Sequence, residues 1–332
     1  MAKCVMTGAT GHVGYALLLE LLANGDDTTI LIRKESDIFE GLDCKKAFGD
    51  VIKPETLEKA FEGADVVYHS AGVIELKPGN EDLVYNVNVN GTKNVVEACK
   101  KCGVKKLVYM SSVDTYPPLP DNQVMHEISH YDPDILEGVY AKTKAEATQY
   151  VIDANGTDGL ETVIIQPSAC IGPYDFKTSS IGEMVRMIIK GHFPVTITFG
   201  MYNFVDVRDV AKAAVAAAEK GRPGECYLIC GEAMTVGEFI RLTTAALGKK
   251  EPKLKLSKGL ADFAAPIMEV YYKVTDTTPL FTRYSIRKLV SNCNFSNEKA
   301  RKELGYDPMT VSQSIKDMAD WIKDFEANKK KQ

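Results

Sequence analysis

The sequence predicts an α/β protein with a doubly wound parallel sheet and a small C-terminal lobe for substrate. Three observations predict it. Short apolar or β-branched runs alternate with longer helical patterns from residue 3 to about residue 166. A glycine-rich turn joins the first run to the first helical pattern. After about residue 170 the alternation weakens and Pro, Gly and aromatic residues become more frequent. Of the 332 residues 45% are hydrophobic, enough to bury one large core with a lobe beside it.

In chain order, Lys3 to Thr7 is a short apolar run and Val13 to Ala23 has helical periodicity. Thr28 to Ile32 is β-branched and apolar, as a strand buried on both faces requires. Pro54 to Glu62 is a helix with Pro in its first turn, where the missing N–H costs nothing. Asp65 to His69 is a strand, Asp82 to Lys101 one long helix, Lys106 to Met110 a strand, Leu136 to Ala154 a helix and Glu161 to Gln166 a strand. Val207 to Glu219 is an Ala-rich helix packing back on the sheet, and Cys226 to Ile229 a late strand. Thr235-Val236-Gly237-Glu238 reads as a capping box, and Thr310 to Phe325 as a final capped helix. These runs divide the chain into a dinucleotide-binding domain over 1–170, with contributions from about 200–230, and a mainly substrate-binding lobe over 171–328.

The net charge of −5 does not suggest a phosphate-backbone partner, so no nucleic acid is expected. No apolar stretch is long enough to span a bilayer, and no leader pattern precedes the first strand, so a cytoplasmic protein is the expectation. The eight cysteines are expected to be reduced. Cys99 and Cys102 form a CxxC without a second pair or nearby histidine, which fits a helix core rather than a metal site; no metal is expected.

The first turn, Thr7-Gly8-Ala9-Thr10-Gly11-His12-Val13-Gly14, follows a strand and opens a helix. A tight strand-to-helix turn needs residues without Cβ, and the helix N-terminus then presents unpaired amides and a positive dipole end to a pyrophosphate. The spacing is GxxGxxG, a variant of the dinucleotide fingerprint of the Rossmann fold. NAD enzymes place an acid after the second strand to bind the ribose 2′-hydroxyl. Here Arg33 and Lys34 stand there and the first acid is Glu35, which suits the 2′-phosphate of NADP(H), with NAD(H) as second choice.

Tyr140 and Lys144 are four apart in a helical pattern and share a face. An ammonium beside a phenol favours phenolate, so the pair is expected to be an acidified proton donor and acceptor. YxxxK alone is common on ordinary helices. Ser111-Ser112 ends a strand at the carboxyl edge of the sheet, where a hydroxyl can bond a reacting carbonyl oxygen, and the ordered set is far more specific than any one part.

With these residues in place the chain resembles the extended short-chain dehydrogenase/reductase family, of the NAD-dependent epimerase/dehydratase superfamily, over about residues 3–325. Further segments resemble that family: Gly49-Asp50-Val51 the turn whose acid contacts adenine, and His69-Ser70-Ala71-Gly72 the fourth-strand motif lining the cofactor. Asn88-Val89-Asn90-Gly91-Thr92 resembles the supporting helix motif, Pro167-Ser168-Ala169-Cys170 the segment touching nicotinamide, and Asn203 to Val210 the segment closing the substrate lobe. The resemblance implies a general acid/base in Tyr140, a ribose-holding role for Lys144, and Ser112 as the catalytic serine, with Ser111 the alternative. It implies cofactor contacts from Gly8, Thr10, Gly11, His12, Val13, Gly14, Arg33, Lys34, Asp50, Val51, Ser70, Ala71, Gly72, Asn88, Tyr140, Lys144, Pro167, Ser168 and Ala169. Gly72 departs from the family's usual second alanine. The basic turn after the second strand resembles the dihydroflavonol-reductase-like and 3-beta-hydroxysteroid-dehydrogenase-like branch, which turns over free cofactor.

Substrate is expected against three stretches: Asp114 to Glu137, Tyr174 to Phe199, and Lys258 to Tyr284 with Phe263, Ile267, Met268, Val270, Tyr271, Tyr272, Phe281 and Tyr284. His126 and His130 in the first are read as surface or substrate-contact residues. The basic stretch Arg283 to Arg287 suits either cofactor phosphates or a sugar nucleotide. The expected activity is NADP(H)-dependent interconversion of a secondary alcohol and a ketone, or an aldehyde and an alcohol, on a largely hydrophobic small molecule. Two alternatives are an epimerase or dehydratase of sugar nucleotides that retains NAD, and a non-catalytic dinucleotide-binding regulator. The helices at 82–101 and 136–154 are candidates for a homodimer interface.

Overall fold

In a computed structural model the chain forms β1 (Lys3–Thr7), α1 (His12–Ala23), β2 (Asp27–Ile32), β3 (Lys45–Phe48), α2 (Pro54–Phe61), β4 (Val66–His69), α3 (Glu81–Tyr85), α4 (Gly91–Lys101), β5 (Lys106–Met110), α5 (Val139–Asp153) and β6 (Glu161–Pro167). There follow β7 (Ala169–Ile171), α6 (Ser180–Lys190), β8 (Val195–Ile197), β9 (Met201–Asp206), α7 (Val207–Lys220), β10 (Cys226–Ile229), β11 (Glu232–Thr235), α8 (Val236–Ala246), β12 (Leu254–Leu256), α9 (Lys258–Thr275), α10 (Arg283–Leu289), α11 (Glu298–Leu304) and α12 (Val311–Lys329). The structure describes residues 2–74, 79–117, 119–120, 123–275 and 283–329.

Seven strands form one parallel sheet in the order β10-β6-β5-β4-β1-β2-β3. The chain winds outward from β1 through β2 to β3, then returns to lay β4 on the other side of β1. The crevice at this reversal is where open α/β sheets bind ligands. Alternate side chains of each central strand enter separate cores. Cys4, Met6, Val108, Met110, Val163 and Ile165 pack with α1 and α7 on one face. Val5, Leu107, Tyr109 and Ile164 pack with α2, α4 and α5 on the other. That two-sided burial is why the strands read as continuous apolar runs.

Beyond β6 the chain adds a three-stranded sheet, β11-β9-β7, and a two-stranded sheet, β12-β8. Thr235 accepts a hydrogen bond from the Glu238 amide at 3.1 Å and starts α8, as its capping sequence predicts.

Three expectations differ from the structure. The strand β3 is absent from the sequence reading because its Lys-Lys-Ala-Phe lies at the sheet edge with little buried surface. The helix expected over Asp82 to Lys101 is α3, a π-helical turn over Asn86–Asn90, and then α4. The helix expected from Leu136 starts at Val139, because Gly138 has φ +88° and breaks the approach.

Candidate active site

The glycine loop is a cradle that side chains would fill. Gly8 has φ +80°, and a Cβ there would lie 2.5 Å from the Ala71 nitrogen. A Cβ on Gly14 would lie 2.1 Å from the Gly8 carbonyl oxygen, so α1 seats directly against the turn. The helix N-cap, Gly11, brings no side-chain cap, and the first turn holds no acid. Amides and dipole at this end are therefore available to an anion. The Thr7 hydroxyl accepts from the Ala71 amide at 3.2 Å, fastening β1 to the segment Ser70-Ala71-Gly72 after β4.

Arg33 and Lys34 are exposed immediately after β2. The first acid, Glu35, pairs with Lys46 at 2.8 Å, which turns it toward β3. Asp50 and Val51 end the β3–α2 approach. The Asp50 amide donates to the Thr56 hydroxyl at 3.1 Å, and the Val51 carbonyl accepts from Asn94 at 2.9 Å. These residues and the glycine loop fit an adenine dinucleotide: glycines clear the approach, open amides face its phosphates, and two cations follow β2.

Asn88 sits inside the π-helical turn. Its side chain donates to the Val73 carbonyl at 3.0 Å and the Thr143 hydroxyl at 3.2 Å, and accepts from the Val73 amide at 2.8 Å. It thus ties the segment after β4 to α5. Pro167 ends β6, Ala169 opens β7, and Ser168 between them donates to Asn203 at 2.9 Å.

The two serines after β5 divide their work. The Ser111 hydroxyl pairs with Thr148 of α5 at 2.6 Å and lies inside the domain. The Ser112 hydroxyl accepts from the Asp114 amide at 3.1 Å and lies beside Tyr140, close enough to act on its phenol. Tyr140 is partly exposed at the start of α5.

Lys144 is buried one turn on. Its ammonium donates to the Tyr109 hydroxyl at 2.7 Å and the Met110 carbonyl at 2.5 Å, and it lies 4.2 Å from the Tyr109 ring centroid. Burial pushes the Lys144 ammonium down to about 7. Burial, and then the Asp114 charge, push the Tyr140 phenol above its usual range, with Ser112 partly offsetting them. The expectation of a phenol acidified by Lys144 is corrected here: the shared helix face is real, but the ammonium is engaged by β5.

Three groups received no individual role in the sequence reading. Tyr109 is one, because its role rests on a contact across 35 residues. His69 is the second; it bridges Thr7 at 2.7 Å and Thr92 at 3.0 Å, and full burial pushes its imidazole down to about 3, so it is neutral. Gln166 is the third. Its carbonyl oxygen accepts from Tyr116 at 2.7 Å and Tyr131 at 3.1 Å, which anchors the 114–137 insertion.

The cleft beside Ser112 is lined by Asp114, Tyr116, Leu136, Tyr202, Asn203 and Phe295 among others. Its rim is stitched across the fold: the Met125 amide donates to the Asn294 carbonyl at 2.8 Å, and Asn292 donates to the Pro120 and Gln123 carbonyls. Arg287 faces Glu137 at 3.5 Å. His126 and His130 are exposed, and among the described residues no three His, Cys, Asp or Glu cluster to hold a metal ion. Phe263 and Ile267 of α9 are exposed. Phe281 and the side chains of Val270, Tyr271, Tyr272 and Tyr284 lie outside the described residues. No helix among the described residues is long and apolar enough to cross a membrane.

The sequence profile described as the NAD dependent epimerase/dehydratase family matches residues 4–230. The chain is 30% identical to sterol demethylase protein B of Methylococcus capsulatus, over 96% of this chain and 98% of that protein. It is 28% identical to the 3-beta-hydroxysteroid dehydrogenase of Mycolicibacterium neoaurum, over 98% and 92%. Among solved structures it is similar to gox2253, with a TM-score of 0.84 at 30% identity, over 98% of this chain and 99% of that one.

Proposed function

The chain belongs to the NAD dependent epimerase/dehydratase family, and from that premise we propose that it is an oxidoreductase using NADP(H). On this reading it interconverts a secondary alcohol and a ketone, or an aldehyde and an alcohol, on a substrate with a largely hydrophobic body such as a hydroxysteroid. The observation that carries the reading is the placing of Ser112, directly after β5, beside Tyr140 of α5 at the carboxyl edge of a sheet that carries the glycine cradle at its switch point. The relatives named for sterol and hydroxysteroid chemistry support the substrate class.

The proposed cofactor residues are those of the glycine loop, Arg33 and Lys34 after β2, Asp50 and Val51, Ser70 to Gly72, Asn88, and Pro167 to Ala169. When bound, the cofactor supplies or takes up the hydride. In reduction the Tyr140 hydroxyl passes its proton to the substrate oxygen as the carbonyl becomes an alcohol. The Ser112 hydroxyl bonds the same oxygen as charge grows on it. Lys144, fixed by Tyr109 and Met110, would hold the nicotinamide ribose. Oxidation runs the same proton transfer backwards.

Titration of NADPH and NADH into wild-type protein and Arg33→Ser tests the cofactor side. Wild type is expected to bind NADPH at least about tenfold more tightly, a gap that Arg33→Ser narrows, since one charged hydrogen bond is lost. Equal affinities in wild type would sink the NADP preference. Protein that purifies with NAD bound, and consumes none while converting a sugar nucleotide, would replace the reading with an epimerase or dehydratase.

A further inference from the structure

We propose that Lys177, carried by the loop between β7 and α6, is a phosphate-binding residue of the dinucleotide site, reaching the glycine loop from the substrate lobe. The inference rests on the dinucleotide site of the proposed function. Its ammonium donates to the Thr10 hydroxyl at 2.8 Å, across 167 residues of sequence. Thr10 lies within the turn whose amides open toward an anion, so Lys177 adds a full charge to a site built of partial ones.

The loop is held in place for this contact. The Pro173 carbonyl pairs with the His12 ring at 2.8 Å, on the first residue of α1. Tyr15, one turn along α1, packs against Tyr174 at 5.3 Å and Phe176 at 4.9 Å between ring centroids. From the other side Trp321 and Phe325 of α12 pack against Phe176 at 5.1 and 5.5 Å. The Asp175 carboxylate accepts from the Ser179 amide and hydroxyl at 2.9 Å, and Arg186 donates to the Asp175 carbonyl at 2.8 Å. Tyr174 and Thr178 adopt positive φ, +75° and +59°, a conformation non-glycine residues hold only when their surroundings fix it. Lys177 stands between these two positions.

A second cation is nearby. Partial burial, and then repulsion from Arg33, hold the Lys177 ammonium below its usual range. Two like charges brought to one turn from separate elements, β2 and the β7–α6 loop, are relieved when an anion sits between them. A phosphate ester meets that need, either the 2′-phosphate or the pyrophosphate.

The test measures binding directly. Trp321 is the single tryptophan of the chain and packs on Phe176 beside Lys177, so its fluorescence follows this loop. NADPH, NADH, 2′,5′-ADP and 5′-ADP are titrated into wild type, Lys177→Met and Lys177→Arg, with calorimetry as a second readout. Lys177→Met is expected to weaken phosphate binding roughly tenfold to a hundredfold, the range for a hydrogen bond to a charged group. Lys177→Arg should recover most of that loss. A loss confined to NADPH and 2′,5′-ADP assigns Lys177 to the 2′-phosphate, and an equal loss for all four ligands assigns it to the pyrophosphate. Unchanged affinities for all four in Lys177→Met overturn the proposal. Arg33→Ser, run in parallel, separates the two failures: if it leaves the NADPH preference intact, the assignment of Arg33 falls while the Lys177 result stands.

Discussion

Replacing Tyr140 with Phe is expected to lower kcat by roughly two to four orders of magnitude while leaving the dissociation constant of the cofactor nearly unchanged. The substitution removes one hydroxyl from a partly exposed ring and leaves its packing on α5 in place. On the proposed mechanism, what is lost is the proton that must reach or leave the substrate oxygen. The phenol is held above its usual range by burial and by Asp114, so it is protonated through neutral pH. Reduction needs the protonated form and should vary little with pH between about 6 and 9. Oxidation needs the deprotonated form and should rise with pH over the same interval. Rates in both directions, measured across that range for wild type and Tyr140→Phe, check both statements. A variant that turns over at the wild-type rate would remove Tyr140 from the mechanism.

The second large effect is expected at Gly14. Alanine there would put its Cβ 2.1 Å from the Gly8 oxygen and 2.8 Å from the Gly8 carbon, against backbone rather than a movable side chain. The turn cannot yield toward β4, because Gly8 already lies against Ser70 and Ala71. Either α1 lifts from the sheet or the cradle opens, so Gly14→Ala is expected to cost about 1–3 kcal/mol of stability, in the range for overpacking. Dinucleotide affinity should fall with it, because the amides of α1 move off line. Gly259→Ala is the control: a Cβ there meets nothing within 4 Å. Thermal melts and NADPH titrations of the two variants provide the comparison. A Gly14→Ala protein that melts and binds like wild type would show that the cradle tolerates side chains.

Much of the main sheet could be read from the chain because its information is local. A strand buried on both faces is a continuous apolar run, and β1, β2, β5, β6 and β10 each show one. The glycine spacing, likewise, states a steric requirement within seven residues. The edge strand β3 escaped because Lys45 and Lys46 face solvent and leave little apolar pattern. The π-helical turn at Asn86–Asn90 escaped for a different reason. Its extra residue per turn points Asn88 at Val73 and Thr143, partners that no helical periodicity announces. Lys144 shows the limit of spacing: four residues place it on the face of Tyr140, yet strand β5 decides where its charge goes. Lys177 carried no signal, since a lone lysine in a loop, following Tyr174 and Phe176, gives no hint of Thr10.

The adjacent serines at the end of β5 make the chemistry depend on parity. Neighbours on an extended chain face opposite ways, so Ser111 is committed to Thr148 of α5 while Ser112 turns toward Asp114 and Tyr140. Deleting any one residue ahead of them in the strand would preserve the Ser-Ser pair to the eye yet exchange inward for outward. A motif search would still find the pair, and the hydroxyl beside Tyr140 would be a different one, or none.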